Sequence, residues 1–297
     1  MEKMKIEKAL FATKFRELAF DSLKALFPLK KAGLREIILC YVIPREAVGF
    51  VPFGGYLKGE EERLREEVRL RFEDWQAATS EAGIESRVII ELGEPIPKLL
   101  SIARREGADL IVAGKKKKAL LEKIIGSDTH SIIIKSRIPV LVNKYMVEYE
   151  REGERATRVN DRIFENPFIA LDWSAPSERA FELLLSLRGI LTCAGLIYVI
   201  SEKDFNGVEE REFERLKAGE KEKLALYSDR LEEAGIRPRA HLLLGRPADE
   251  ILRAAREFGA SMLFMGTTGK GRLEEFALGS VSHEISEGAE FPVLLVP

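Results

Sequence analysis

Cysteine, histidine and side-chain amides are scarce in this 297-residue chain: two Cys, three His, one Gln and four Asn. Cys40 and Cys193 each sit inside an apolar, strand-like run, so they read as buried thiols of a reducing compartment rather than a disulfide framework. With no HExxH and no CxxC, neither a structural nor a catalytic zinc site is expected. The longest run without charge, Gly189–Ser201, has 13 residues, short of the roughly 20 that a membrane helix needs. The amino-terminal MEKMKIEKALF has no apolar signal region and no cleavage site, and a cytoplasmic location is the expectation. There is no excess of charge of either sign: 47 basic against 49 acidic residues give −2, which argues against a dedicated nucleic-acid binder. What is abundant is Glu, Lys and Arg, at the expense of amides, a bias shared by thermophile proteins. At 45% hydrophobic and 32% charged, the chain can bury a core, and its length suits about two domains.

A repeat organises the chain. Glu81–Gly114 lies over Glu233–Gly266 at an offset of 152 without a gap, with 14 of 34 positions identical. Gly126–Val142 lies over Gly279–Leu295 at an offset of 153, and ILCYVI (Ile38–Ile43) matches GLIYVI (Gly195–Ile200). A period of this length is a duplicated domain rather than a solenoid of short repeats. In the first copy the patterning predicts strands at 6–13, 35–43, 87–92, 109–113 and 138–143. Helices are predicted at 16–32, 58–82, 97–106 and 127–136. Alternation of this kind implies parallel sheets with helices on both faces, here two open five-stranded α/β units in tandem. The expected boundaries are 1–143, a charged linker 144–162 and 163–297. The linker has ten charged residues in 19 and reads as solvated, with a short helix left open.

The chemistry concentrates in the second copy. After the apolar run Ser261–Met265 come Gly266, Gly269, Gly271 and then Gly279-Ser280, a G-x2-G-x9-G-S spacing in which Gly279-Ser280 opens a helix. Glycines let backbone approach a ligand, and amides at a helix start attract anions, so the pattern suits a phosphate. In open α/β sheets, ligands sit beyond the carboxyl ends of strands, where this loop lies. Neither a P-loop nor a dinucleotide fingerprint is present. Asp172, at a strand end in IALDWS, is either an acceptor for ligand donors or the cap of the following helix, and Ser174 could cap instead.

With this loop, the strand-end Asp172 and the closing FPVLLV (Phe291–Val296), each half resembles a universal stress protein domain. The resemblance covers nearly the whole chain apart from the linker. It implies a sheet order of 3-2-1-4-5, and a subclass of the family binds ATP or AMP. Carried over, it implies that Asp172 meets adenosine, walled by Ala170 and Leu171, that Val199 contacts adenine and that Met265 and Gly266 lie along the ribose. Gly269, Gly279, Ser280 and Val281 would hold the phosphates. The ligand implied is ATP or AMP, alone or with Mg2+. The expected function is nucleotide binding in a stress or regulatory role, with no metal and no catalytic residue in the chain. A slow ATPase and a nucleotide-tuned scaffold are the alternatives, and the superfamily's enzyme signatures SGGxDS, HIGH and KMSKS are absent. No nucleic-acid or membrane partner is expected. The final strands of the two halves should pair about a pseudo-twofold axis, in a chain that itself dimerises.

The first copy departs from the pattern. Its loop reads Gly114-Lys-Lys-Lys-Lys118 and reaches Gly126-Ser127 one residue sooner, with Lys117 for the second glycine and Thr13 for Asp172. The expectation is one nucleotide site per chain, in the second half. His130 and His283 recur in the two copies and His241 lies in a strand; all three read as packing or surface residues. Trp75 and Trp173 read as packing residues.

Overall fold

The computed structural model describes residues 4–15, 18–51, 55–56, 58–114, 127–151, 154–269 and 278–297. The first half runs β1 (Lys8–Ala12), α1 (Ala19–Lys24), β2 (Glu36–Ile43), the short strands β3 (Phe50–Val51) and β4 (Gly55–Tyr56), then α2 (Lys58–Glu81) and β5 (Glu85–Leu92). It closes with α3 (Pro95–Arg105), β6 (Leu110–Gly114), α4 (Ser127–Lys135) and β7 (Val140–Asn143). A hairpin follows, β8 (Met146–Arg151) and β9 (Glu154–Val159). The second half repeats the series: β10 (Pro167–Leu171), α5 (Ala175–Ser186), β11 (Cys193–Ser201), α6 (Glu202–Phe205) and α7 (Glu210–Glu233). Then come β12 (Arg237–Gly245), α8 (Pro247–Glu257), β13 (Met262–Gly266), α9 (Ser280–Gly288) and β14 (Val293–Val296).

Two expectations are corrected here. The helix expected over 16–32 is split into α1 and a 3-10 helix, Phe27–Ala32. Pro28 has no amide to donate and sits at the start of the second piece, so the first cannot run through it. The 144–162 segment is the β8–β9 hairpin rather than a short helix, and its base is buried. Lys144 Nζ donates to Ala289 O (2.7 Å), and Asn160 Nδ2 donates to Lys144 O (2.6 Å) and Glu290 O (2.9 Å). These bonds reach across the fold, so local patterning does not reveal them.

Each half has the order 3-2-1-4-5, but the two sheets are one. The ten strands run β12-β11-β10-β13-β14-β7-β6-β1-β2-β5. Every neighbouring pair is parallel except β14 and β7, which meet antiparallel with Val293 opposite Val142 and Leu295 opposite Val140. Both strands are fully buried, and each covers the edge that the other would expose. Because the seam is antiparallel, the carboxyl-end loops of the two halves point to opposite edges of the sheet. Alternation along the strands divides the core in two. Phe11, Leu39, Ile169, Leu171 and Phe264 face one layer; Leu10, Cys40, Phe168, Ala170 and Leu263 face the other. Both cysteines are free thiols, and burial pushes Cys40 up to about 12.

Candidate functional site

The end of β10 builds the site. Leu171 is the last strand residue, and Trp173 turns the chain with φ at +61°, a left-handed conformation rare for a bulky residue. Packing holds it there: the indole stacks on Tyr198 (centroids 4.8 Å apart, planes at 19°) and its Nε1 donates to Glu220 Oε2 at 2.5 Å. Glu220 is buried and is met by Lys223 Nζ at 2.9 Å. Burial, with the Glu220 charge beside it, pushes the Tyr198 hydroxyl up to about 12. Trp173 is thus a packing residue.

Ser174 then caps α5, its Oγ accepting from Ser177 N at 3.3 Å, as the sequence allowed. Asp172 is not the cap. Its Oδ1 accepts from Ser174 N (3.0 Å) and Ser174 Oγ (2.5 Å), while Asp172 N donates to Ser177 Oγ (3.2 Å). Its Oδ2 is turned toward the glycine loop, where a Cβ on Gly269 would stand 2.7 Å away. The half-buried carboxylate is therefore aimed and preorganised by the helix start behind it.

Thr267 closes the base of the loop. Its amide donates to Val296 O (2.9 Å), and its carbonyl accepts from Gly279 N (2.8 Å) and Ser282 Oγ (2.7 Å). This cinch brings the two ends of the G-x2-G-x9-G-S segment together. Gly279 is the N-cap of α9, so the amides of Ser280, Val281 and Ser282 form a first turn without intrahelical acceptors. A Cβ on Gly279 would stand 3.3 Å from Ser282 Oγ and 3.4 Å from Thr267 O, leaving little room for a larger side chain. Sequence reasoning missed Ser177 and Ser282, whose hydroxyls acquire roles only once α5 and the Thr267 backbone are in place.

The other expected residues divide by sheet face. Ala170, Met265, Val199 and Val281 pack on one layer, beside α8 and α9. Leu171 faces the opposite layer, so its side chain does not join them. Gly266 has a packing reason for its missing side chain: a Cβ would stand 2.8 Å from Pro176 Cβ and 2.9 Å from Ser177 N. Among the described residues, its pseudo-equivalent Gly114 has nothing within 4 Å of such a Cβ. Lys270 and Gly271, and in the first half Lys115–Lys118 and Gly126, lie outside the described residues. Thr13 Oγ1 accepts from Phe15 N (2.9 Å) and offers no carboxylate. The Phe15 ring lies over Tyr41, 5.4 Å between centroids, much as Trp173 lies over Tyr198.

The histidines pack. His241 stacks on Phe258, with centroids 4.0 Å apart, and lies 6.0 Å from the Phe168 ring. His130 and His283 meet edge to face across the seam at 4.9 Å. Burial and the neighbouring imidazole hold His130 below the usual histidine range. Trp75 lies in a cage of Phe11, Phe15, Phe20 and Phe72. Among the described residues, no group of three or more His, Cys, Asp or Glu is placed to hold a metal ion. No helix there is long and apolar enough to cross a membrane.

Comparison with known proteins agrees with the geometry. The family model described as "Universal stress protein family" matches residues 5–144 and again 168–297. "Universal stress protein MJ0577" of Methanocaldococcus jannaschii is 31% identical over 153 residues, covering 46% of this chain and 94% of that protein. "Universal stress protein MJ0531" of the same organism is 37% identical over 105 residues, 34% of this chain and 62% of its own length. A crystal structure of a universal stress protein from Archaeoglobus fulgidus superposes with a TM-score of 0.69, covering 99% of this chain and 97% of that one. At 23% identity that likeness speaks for the fold. The repeat, the sheet order and two separate family matches lead to one conclusion: the chain belongs to the universal stress protein family, named for the stress response, and carries two of its domains.

Proposed function

We propose that the second half binds an adenine nucleotide, ATP or AMP, alone or with Mg2+, and that the chain serves as a nucleotide-responsive stress or regulatory protein rather than an enzyme. The observation that carries the reading is the approach of Gly269 to Asp172. The loop passes so close to a preorganised carboxylate that a methyl group would stand 2.7 Å from Oδ2. Asp172 Oδ2 offers an acceptor to the hydroxyls or amino group of adenosine, and the first-turn amides of Ser280 and Val281 offer donors and a favourable dipole to phosphate. Ala170, Met265 and Val199 supply an apolar wall beside them.

The first half lacks the carboxylate, and no described residue stands within 4 Å of a Cβ at Gly114. We therefore assign one nucleotide site per chain. Catalysis is not expected, since Asp172 has one oxygen engaged by Ser174 and no general base stands beside it among the described residues. Calorimetric titration of ATP into the full chain tests the reading. About one site per chain is expected, abolished by Gly279→Val and little altered by Gly126→Val. Two equal sites, or ATP turnover above about 1 per second, would overturn it.

A further inference from the structure

The two halves differ at the opposite end of the sheet from their loops, where α3 and α4 of the first half, or α8 and α9 of the second, lead into their last two parallel strands. In the second half this corner is filled from within. Phe291 is fully buried there, and Arg256 Nε donates to Glu290 Oε1 at 2.9 Å. Arg158 from the hairpin lies over the Phe291 ring and donates to Ala260 O. Gly288 lets α9 approach α8 so closely that a Cβ would stand 3.2 Å from Leu252 Cδ1.

The 152- and 153-residue offsets identify the counterparts in the first half. Ile138 stands for Phe291, Arg137 for Glu290, Lys135 for Gly288, and Arg104 for Arg256. Each change empties the corner or alters its charge. Isoleucine fills less space than phenylalanine, and lysine adds a charged side chain where Gly288 has none. The acid that neutralises Arg256 has become a third cation. The result is a cavity of about 230 Å3 with Leu100, Ala103, Ala108 and Ile111 at its apolar floor. Arg104, Lys135 and Arg137 stand at its rim. Ala103, Ala108 and Ile111 are buried, whereas Arg104 and Lys135 are exposed and form no ion pair with another described residue.

We propose that this cavity is a binding site for a small organic monocarboxylate with an apolar body. The carboxylate takes the place beside Arg104 that Glu290 occupies beside Arg256, and the apolar body takes the space that Phe291 fills. Arginine meets a carboxylate with a planar fork of donors, which favours that anion over an uncharged group. The cavity lies below the roughly 300–1,000 Å3 of sites for drug-sized ligands, so the ligand is of benzoate or hexanoate size. The site is independent of the nucleotide reading, because it lies in the other half and uses none of the loop residues.

Titration of the full chain with benzoate and hexanoate, followed by amide NMR shifts, tests it. Saturable binding at about 1 mM or tighter is expected, with shifts centred on Ala108, Ile111 and Ile138. Benzyl alcohol and hexanol, which keep the apolar body and lose the charge, should bind at least about tenfold more weakly. Ile138→Phe, which imports the second half's own filling, should lower benzoate affinity at least about tenfold while leaving the melting temperature unchanged or raised. Arg104→Gln should lower it by about tenfold without lowering the affinity for the alcohol. Any of three results would overturn the proposal: no saturable binding below about 10 mM, equal binding of acid and alcohol, or undiminished binding in a folded Ile138→Phe protein.

Discussion

Replacing Gly266 by alanine, with Gly114→Ala as its internal control, tests whether the second half is built around a tight helix start. The two glycines occupy equivalent positions, each ending the fourth parallel strand of its half. At Gly266 the new methyl group meets Pro176 Cβ at 2.8 Å, Ser177 N at 2.9 Å and Pro176 C at 3.0 Å. Two of these are backbone atoms, so relief requires the first turn of α5 to move rather than a side chain to rotate. Overpacking of this kind costs about 1–3 kcal/mol. That turn carries Ser177 and the cap Ser174, the two residues that orient Asp172, so nucleotide affinity should fall together with stability, by about tenfold or more. At Gly114 no described residue lies within 4 Å of the added methyl, and the change should fall within about 0.5 kcal/mol of neutral. Chemical denaturation of both variants, with ATP titration of each, provides the assay. Equal destabilisation of the two, or a Gly266→Ala protein with native stability and native affinity, would refute the packing argument.

Three further outcomes follow from the same geometry. Asp172→Ala removes the aimed acceptor and should weaken adenine-nucleotide binding by about 1.5–3 kcal/mol, roughly 10- to 150-fold by calorimetry, whereas Thr13→Ala should change it little. Glu220→Ala leaves the Trp173 indole N–H without its acceptor, and should cost about 1–3 kcal/mol and alter tryptophan emission. His130 titrates below its unfolded value of about 6.5, so its contribution to stability is fully present above that pH and is lost as the pH falls toward the folded value. Urea denaturation of His130→Gln should therefore show a shallower loss of stability between about pH 7 and 5 than the parent chain. A steeper loss would reverse the sign.

Much of the fold was legible because buried parallel strands leave continuous apolar runs: Glu36–Ile43 and Cys193–Ser201 stand out among charged neighbours. The duplication supplied the rest, since each half supports the reading of the other. What was illegible depends on contacts between distant residues. The hairpin reads as a charged linker because its order comes from Lys144, Arg158 and Asn160 reaching Ala289, Ala260 and Glu290. The merging of two sheets into one was legible too, because each half ends in a short apolar strand whose edge only the other half's final strand can cover. At the site, the glycine spacing revealed the loop but not the reason for each glycine. Gly266 is required by Pro176 and Ser177, and nothing local in the sequence places them 2.8–2.9 Å from its missing Cβ. The aiming of Asp172 by Ser174 lay partly in view, because a serine two residues before a proline at a helix start is a capping signal.

The β7–β14 seam sets a schedule for synthesis. Val142 pairs with Val293, so the edge that β7 presents has to wait for a strand made about 150 residues later. At about 5–20 residues per second, the ribosome leaves that apolar edge without its partner for roughly 8–30 s, while the rest of the first half can already be folded. During that window β7 of one nascent chain can accept β14 of a finished neighbour, because the same register serves either source. Duplication within one chain thus exchanges a bimolecular search for a delay, and crowded expression should favour chains interlocked through exchanged β14 strands.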